Sequence, residues 1–218
     1  MEKTGQRPAA RQTTKPPTGQ SAEPPCPWAP MHDPLYRSYH DEEWGVPEYD
    51  SRALWEKLVL DGFQAGLAWI TILRKRETTR AAFDNFDPLI VANYSEADID
   101  RLLQDPGIIR SRAKIEAAID GARIYREMQA RGEHLNHFLW RFVDHRPLQN
   151  DVASYRAAPT QSVESLAMSK ALKDKGFKYC GPVIVYAFMQ AVGMVNDHEL
   201  HCPRRTICQG MAASPKHP

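Results

Sequence analysis

The chain has 218 residues, 42% of them hydrophobic and 25% charged, with a formal net charge of +1. That is enough for one ordinary core or two small lobes sharing a cleft. Near-neutral charge excludes a histone-like partner mode, so attraction to a polyanion must come from a local patch. The longest apolar stretch, PVIVYAFMQAVGMV from Pro182 to Val195, is too short to span a bilayer and reads as a buried helix, with no membrane partner.

Seven of the seventeen prolines fall within residues 1–30, in a stretch with almost no large apolar residue before Trp28. Residues 1–25 are expected to be a disordered extension. They carry basic residues but no apolar core of a secretory signal, so a cytoplasmic setting is expected. There the four cysteines, Cys26, Cys180, Cys202 and Cys208, are thiols or metal ligands rather than disulfides.

Beyond the extension the helical period sets in. Asp50 can cap a helix with Leu54, Leu58, Val59 and Phe63 inward. LAWITILRKRETTRAAF reads as a second helix with Leu67, Ile70, Leu73 and Phe83 inward and a basic face outward. Ser95 and Asp98 form a capping-box pattern opening a helix through Leu103, and Ile115–Met128 gives another. HLNHFLWRFVDH keeps the period through Phe138 and Phe142. Ser162 caps a helix through Leu166 and Leu172, which Gly176 is placed to end. Strand signals are scarce, and the fold class is all-α with roughly eight helices.

Between two of these helices lies GFKYCGP. Gly176 and Gly181 stand where backbone must turn or approach another group closely, and Pro182 at N1 starts the next helix. Such a turn offers helix N-terminal amides to a phosphate, with Lys173, Lys175 and Lys178 nearby. The same residues also suit a plain interhelical turn. In MVNDHELHC, His198 and Cys202 are four apart and would share a helix face; Cys26 and His40 form a second distant pair. Together they make a Cys2His2 set, which leaves no open coordination position and would be structural. Spacing alone also allows four ordinary residues. No HExxH or similar helical pair supports a catalytic zinc. Tyr39 and Trp44 lie beside His40, and Trp69 lies just beyond Asp61, so three aromatic rings could wall a slot for a nucleobase or belong to the core.

Taken in order, CPW at 26–28, DPLYRSYHDEEWGVP at 33–47, LDGFQAGLAWITILRKRE at 60–77, FDP at 86–88, DPGIIRSRAKIEAAIDGAR at 105–123, KALKDKGFKYCGPVIVYAFMQAVGMVNDH at 170–198 and Cys202 resemble the 3-methyladenine DNA glycosylase I family of bacterial repair enzymes. The resemblance covers residues 26–202 as one glycosylase domain and leaves 203–218 as a tail. It implies a helix-hairpin-helix fold in which Gly176, Phe177, Lys178 and Gly181 grip DNA. It further implies a structural zinc on Cys26, His40, His198 and Cys202. Tyr39, Trp44 and Trp69 match base-stacking aromatics, while Gly66 and Leu67 match the loop near the gap left by a flipped nucleotide.

Asp61 falls where the family carries a glutamate that reads the edge of the damaged base, and its carboxylate reaches about 1.5 Å less. Related enzymes place an aspartate after the second hairpin helix; by analogy Asn196 occupies that place here, with Asp197 a second candidate. No lysine is placed there to attack the sugar. The resemblance therefore implies a monofunctional, monomeric enzyme that hydrolyses the N-glycosidic bond of 3-methyladenine in alkylated double-stranded DNA and releases the free base. The alternatives are an inactive damage-binding relative, which Asp61 makes worth testing, and a zinc hydrolase of small substrates.

Overall fold

The computed structural model describes residues 26–30 and 32–213; the extension expected to be disordered lies outside the described residues. Among the described residues ten α-helices carry the fold, with short 3-10 turns at Asp84–Phe86, Arg141–Val143 and Tyr155–Ala157. The first helix, α1 (Pro34–Glu42), starts with Asp33 accepting from the Tyr36 amide and with proline at N1, the standard chemistry of a helix start. Helix α2 (Ser51–Gln64) is capped by Asp50, whose carboxylate accepts from Ala53 N at 2.8 Å. A break at Ala65–Ala68 separates it from α3 (Trp69–Ala82).

Helices α4 (Pro88–Val91), α5 (Glu96–Gln104) and α6 (Arg112–Ala130) pack as a second group. The expected capping box at Ser95 is present, with the Ser95 amide donating to Asp98 at 2.8 Å. Helix α7 (Leu135–Trp140) continues as a 3-10 turn rather than holding one α period through Phe142. Ser162 and Ser165 cap α8 (Val163–Asp174) reciprocally. Next come α9 (Pro182–Ala191) and α10 (Pro203–Ala213).

The turn between α8 and α9 has a sequence-encoded geometry. Gly176 has φ +99°, its amide donates to Lys173 O at 2.8 Å, and the Phe177 amide donates to Leu172 O at 3.0 Å. This is a Schellman ending, for which glycine supplies the left-handed residue. The second positive φ of the turn falls on Tyr179 (+54°) rather than on Gly181 (φ −63°).

Most of the core lies where α2, α6, α7, α8 and α9 meet, around the fully buried Trp55, Trp140 and Phe188. A smaller cluster joins Cys26, Tyr39, Trp44, Leu73 and Cys202. The few strand residues form one parallel pair, β1 (Leu148–Gln149) with β2 (Val195–Asn196).

Three expectations are corrected. The apolar run expected as a helix to Val195 ends at Ala191, because Gly193 turns the chain at φ +68°. Leu67 is 40% exposed rather than inward, since it lies in the break between α2 and α3 rather than in the helix. The stretch expected as a tail from residue 203 opens instead with the eleven-residue α10, which buries Cys208. No described helix is long and apolar enough to cross a membrane.

Candidate active site and metal cluster

One turn of α1 serves two sites. Tyr39 and His40 are adjacent, so their side chains diverge, and both are buried. His40 points to Cys26, His198 and Cys202, whose ligand atoms together with its own lie within 4.8 Å of one another. Cys202 Sγ is 3.6 Å from His40 Nε2 and 3.5 Å from His198 Nδ1, and Cys26 Sγ is 3.7 Å from His198 Nδ1. A tetrahedral ion with ordinary zinc bond lengths would hold sulfur and nitrogen ligands roughly 3.5 Å apart, so these edges suit a metal ion.

The surrounding hydrogen bonds suit it too. His198 Nε2 donates to the Trp44 carbonyl at 3.0 Å, and His40 Nδ1 donates to Asp41 at 2.7 Å. Each ring therefore turns its lone-pair nitrogen inward, the usual outer-shell arrangement of a metal-binding histidine. The two thiols titrate together: hydrogen bonding with Cys26 holds Cys202 well below the usual thiol range, helped by His198 and His40, while Cys26 is raised by the same bond and by burial. His198 and Cys202 do not share a helix as their spacing suggested. They flank a tight turn in which the Cys202 amide donates to Glu199 O at 2.8 Å. Gly45 is needed beside them, with φ +81° and only 2.9 Å between a built Cβ and His198 Nε2.

Tyr39 points the other way, into a cavity of about 350 Å³. From α2 come Lys57, Asp61 and Gln64, one helix stripe at i, i+4 and i+7; from α9 come Val183, Tyr186, Ala187 and Gln190 in the same rhythm. Trp69 begins α3, and Trp28, Tyr36, Tyr39 and Trp44 complete an aromatic wall. Trp28 meets Trp44 edge-on at 4.8 Å, and Tyr39 lies 5.3 Å from Trp69. Thus Asp61, Tyr39, Trp44 and Trp69 are brought together.

Asp61 is 1% exposed. Its Oδ1 accepts from Lys57 Nζ at 2.5 Å, while its Oδ2 has no partner. Burial pushes the carboxyl above its usual range against the pull of Lys57, and burial lowers the Lys57 ammonium. The Trp69 indole N–H is also buried without a partner. Unpaired buried polar atoms are uncommon in folded proteins and ask for a reason.

Of the two candidates after α9, Asp197 lines the cavity and Asn196 does not. Asp197 accepts from Asn150 and Gln190 at 2.7 Å each and from the Tyr186 hydroxyl at 2.8 Å. Asn196 instead donates to Gln149 Oε1 at 2.8 Å and to the Arg205 carbonyl at 3.1 Å, tying β2 to its neighbours.

The loop and hairpin residues lie apart from the cavity lining. Gly66 and Leu67 are exposed in the α2–α3 break. Lys178 is exposed and paired with Asp120 at 2.8 Å, and open space surrounds Gly181 where a Cβ would stand. Phe177 is 6% exposed and packed in the core, so its side chain anchors the hairpin rather than facing a partner. Sequence reasoning passed over Lys57, Trp28 and Gln190. Lys57 was visible as a lysine one helical turn before Asp61, the pairing distance on a helix face; Trp28 was visible two residues after Cys26.

Residues 28–205 match the family model described as methyladenine glycosylase. The chain is 52% identical over 177 residues to DNA-3-methyladenine glycosylase 1 of Escherichia coli, covering 81% of this chain and 94% of that protein. It is 49% identical over 181 residues to the DNA-3-methyladenine glycosylase of Haemophilus influenzae, covering 83% and 97%. Among solved structures it is similar to a crystal structure of 3-methyladenine DNA glycosylase I, with TM-score 0.81 and 51% identity over 83% of this chain and 98% of that one. A Staphylococcus aureus structure described as the basis of 3-methyladenine recognition gives TM-score 0.76 and 39% identity over 85% and 94%. With the matched segment spanning both the aromatic cavity and the Cys2His2 cluster, the chain belongs to the methyladenine glycosylase family.

Proposed function

We propose that this chain excises 3-methyladenine from alkylated duplex DNA by hydrolysing its N-glycosidic bond, using the aromatic cavity as the base pocket. The observation that carries the assignment to this cavity is the buried, partnerless Oδ2 of Asp61 among tryptophan and tyrosine rings. Methylation at N3 makes the adenine of the nucleotide cationic. A cationic ring gains from aromatic faces and from a carboxylate that accepts from its edge. The nucleotide is extruded from the duplex, the base stacks against Tyr39, Trp44 and Trp69, and Asp61 reads its edge. Gly66 and Leu67 sit by the gap it leaves. Water then adds to the sugar carbon as the base departs, and Asp197 steadies the sugar cation or takes the proton of the water.

Hydrogen bonds hold Asp197 on three sides, so its orientation is set before substrate arrives. Lys57 pairs with Asp61 and no lysine stands beside Asp197 in the lining, which supports a monofunctional enzyme without strand cleavage. The hairpin backbone around Gly176 and Gly181, with Lys178, offers phosphate contacts. Cys26, His40, His198 and Cys202 suit zinc. Four protein ligands would make it a cross-link of the two ends of the domain rather than a Lewis acid, which weighs against the reading as a zinc hydrolase. Residues 26–202 are the glycosylase domain, with α10 as an added C-terminal helix.

The test is chromatography of the bases released from methylated duplex DNA, with the metal content of the same sample recorded. Release of free 3-methyladenine by a zinc-loaded chain is expected. No release from the folded, zinc-loaded chain would overturn the reading and favour the damage-binding relative.

A further inference from the structure

Lys57 occupies contacts that a cationic base would use. Its ammonium lies 2.5 Å from Asp61 Oδ1 and 4.1 Å from the centroid of the Trp69 ring. Its side chain is only 15% exposed and lines the cavity. The Asp61 carboxylate and the Trp69 face are two of the attractions that the pocket offers to positive charge, and the chain already engages both with a cation of its own. An ammonium has three donors and no acceptor, and Asp61 is the only hydrogen-bond acceptor found for it among the described residues. This cation is therefore held by few bonds and can leave by rotation of its own flexible stem.

We propose that Lys57 is a resident cation of the base pocket, a specificity-determining residue that admits a purine carrying positive charge and resists a neutral one. This rests on the reading of Asp61 and Trp69 as base contacts. A cationic purine replaces the Lys57 charge at both partners with its own. A neutral purine has to separate Lys57 from Asp61 and Trp69 while offering no charge in return, in a buried site where an uncompensated carboxylate is unfavourable. The same asymmetry acts after the reaction. When the bond between the sugar carbon and N9 breaks, its electron pair stays on the purine, so the departing base is neutral and Lys57 reclaims Asp61. Undamaged adenine and spent product are disfavoured by one device.

The test is a tryptophan-fluorescence titration of the full chain in mildly alkaline buffer with two probes. One is 3-methyladenine, neutral as the free base. The other is 3,9-dimethyladeninium, which is cationic, its N9 methyl standing for the sugar. The parent should bind the cation about tenfold or more tightly than the neutral base. Lys57→Met and Lys57→Gln should tighten the neutral base by about tenfold and collapse that ratio, whereas Lys57→Arg should keep it. Melting curves identify any variant that fails to fold, and Lys57→Gln retains a donor for Asp61. If both neutral variants leave the ratio unchanged, or weaken both probes, the proposal is overturned. Asp61→Asn separates the two levels. If it leaves the affinity for the cation unchanged, the base-edge reading itself fails; if it weakens the cation while the Lys57 variants keep the parental ratio, only the resident-cation proposal fails.

Discussion

The Cys2His2 cluster and the proposed base pocket share one turn of α1, yet they treat buried polar atoms in opposite ways. At the cluster each ring has its outer nitrogen satisfied, by Trp44 O or Asp41, and its inner nitrogen facing sulfur. In the pocket Asp61 Oδ2 and Trp69 Nε1 are buried with nothing to bond. A buried polar atom left unpaired costs about 1–3 kcal/mol, so in the proposed reading the first site spends its chemistry on holding the fold and the second withholds it for a ligand. Stability and function should therefore separate when each is cut.

The largest effect is expected at the cluster. His198→Ala should abolish tight zinc binding and lower the melting temperature by about 10 °C or more, since a loss of ~4 kcal/mol moves a domain of this size by roughly 8–16 °C. Unchanged metal content and melting temperature would reverse the assignment of roles. Next, Asp61→Asn should slow 3-methyladenine release by about 10- to 100-fold, the worth of a hydrogen bond to a charged group, while moving the melting temperature far less than His198→Ala. A fall in stability as large as that of His198→Ala would make Asp61 a structural residue and erase the contrast.

A pH profile sharpens the comparison. In its proposed role Asp61 is ionised when it accepts from the base, and burial holds its pKa above the usual carboxylate range. Activity should accordingly fall, on the acid side, at a higher pH than an ordinary aspartate near 3.9 would give. In Asp61→Asn that limb should vanish from the residual rate. The smallest effect is expected from Lys178→Ala, which lies in neither site: DNA affinity should drop several-fold whatever the sequence, with the salt slope reduced by about one. An unaltered slope would remove Lys178 from the DNA contacts.

Much of this was legible in the sequence where the signal is local. Asp50, Ser95 and Ser162 announce helix starts because short polar side chains cap amides two or three residues on, and Gly176 marks an ending only a left-handed residue can make. The His198–Cys202 pair was found through a helical argument that does not hold; the turn at Glu199–Cys202 brings them together instead. Leu67 was placed inward because a period continues on paper through a break that only Gly66, at φ +81°, enforces in space. Phe177 sits in a hairpin by sequence but in the core by packing, since the Schellman turn folds it back beside Leu172. Gln190 stayed hidden, and Asp197 stood second to Asn196, for another reason. Which residues after the first turns of α9 line the cavity depends on how α2, α9 and the 155–160 segment close on one another, and no local pattern carries that.

The cluster joins Cys26 to His198 across 172 positions of chain, and this orders events on the ribosome. Trp28, Tyr39 and Trp44 are made early, but the groups that fix them arrive last: Gln190, whose carbonyl accepts from Gly45 N at 3.0 Å, then His198 and Cys202. A nascent chain stopped short of residue 182 carries the aromatic wall and Asp61 without α9, the helix that closes the pocket over them. Domains generally fold as units during synthesis, and here the unit is complete only when its last ligands emerge, so no partly made chain displays a finished base pocket.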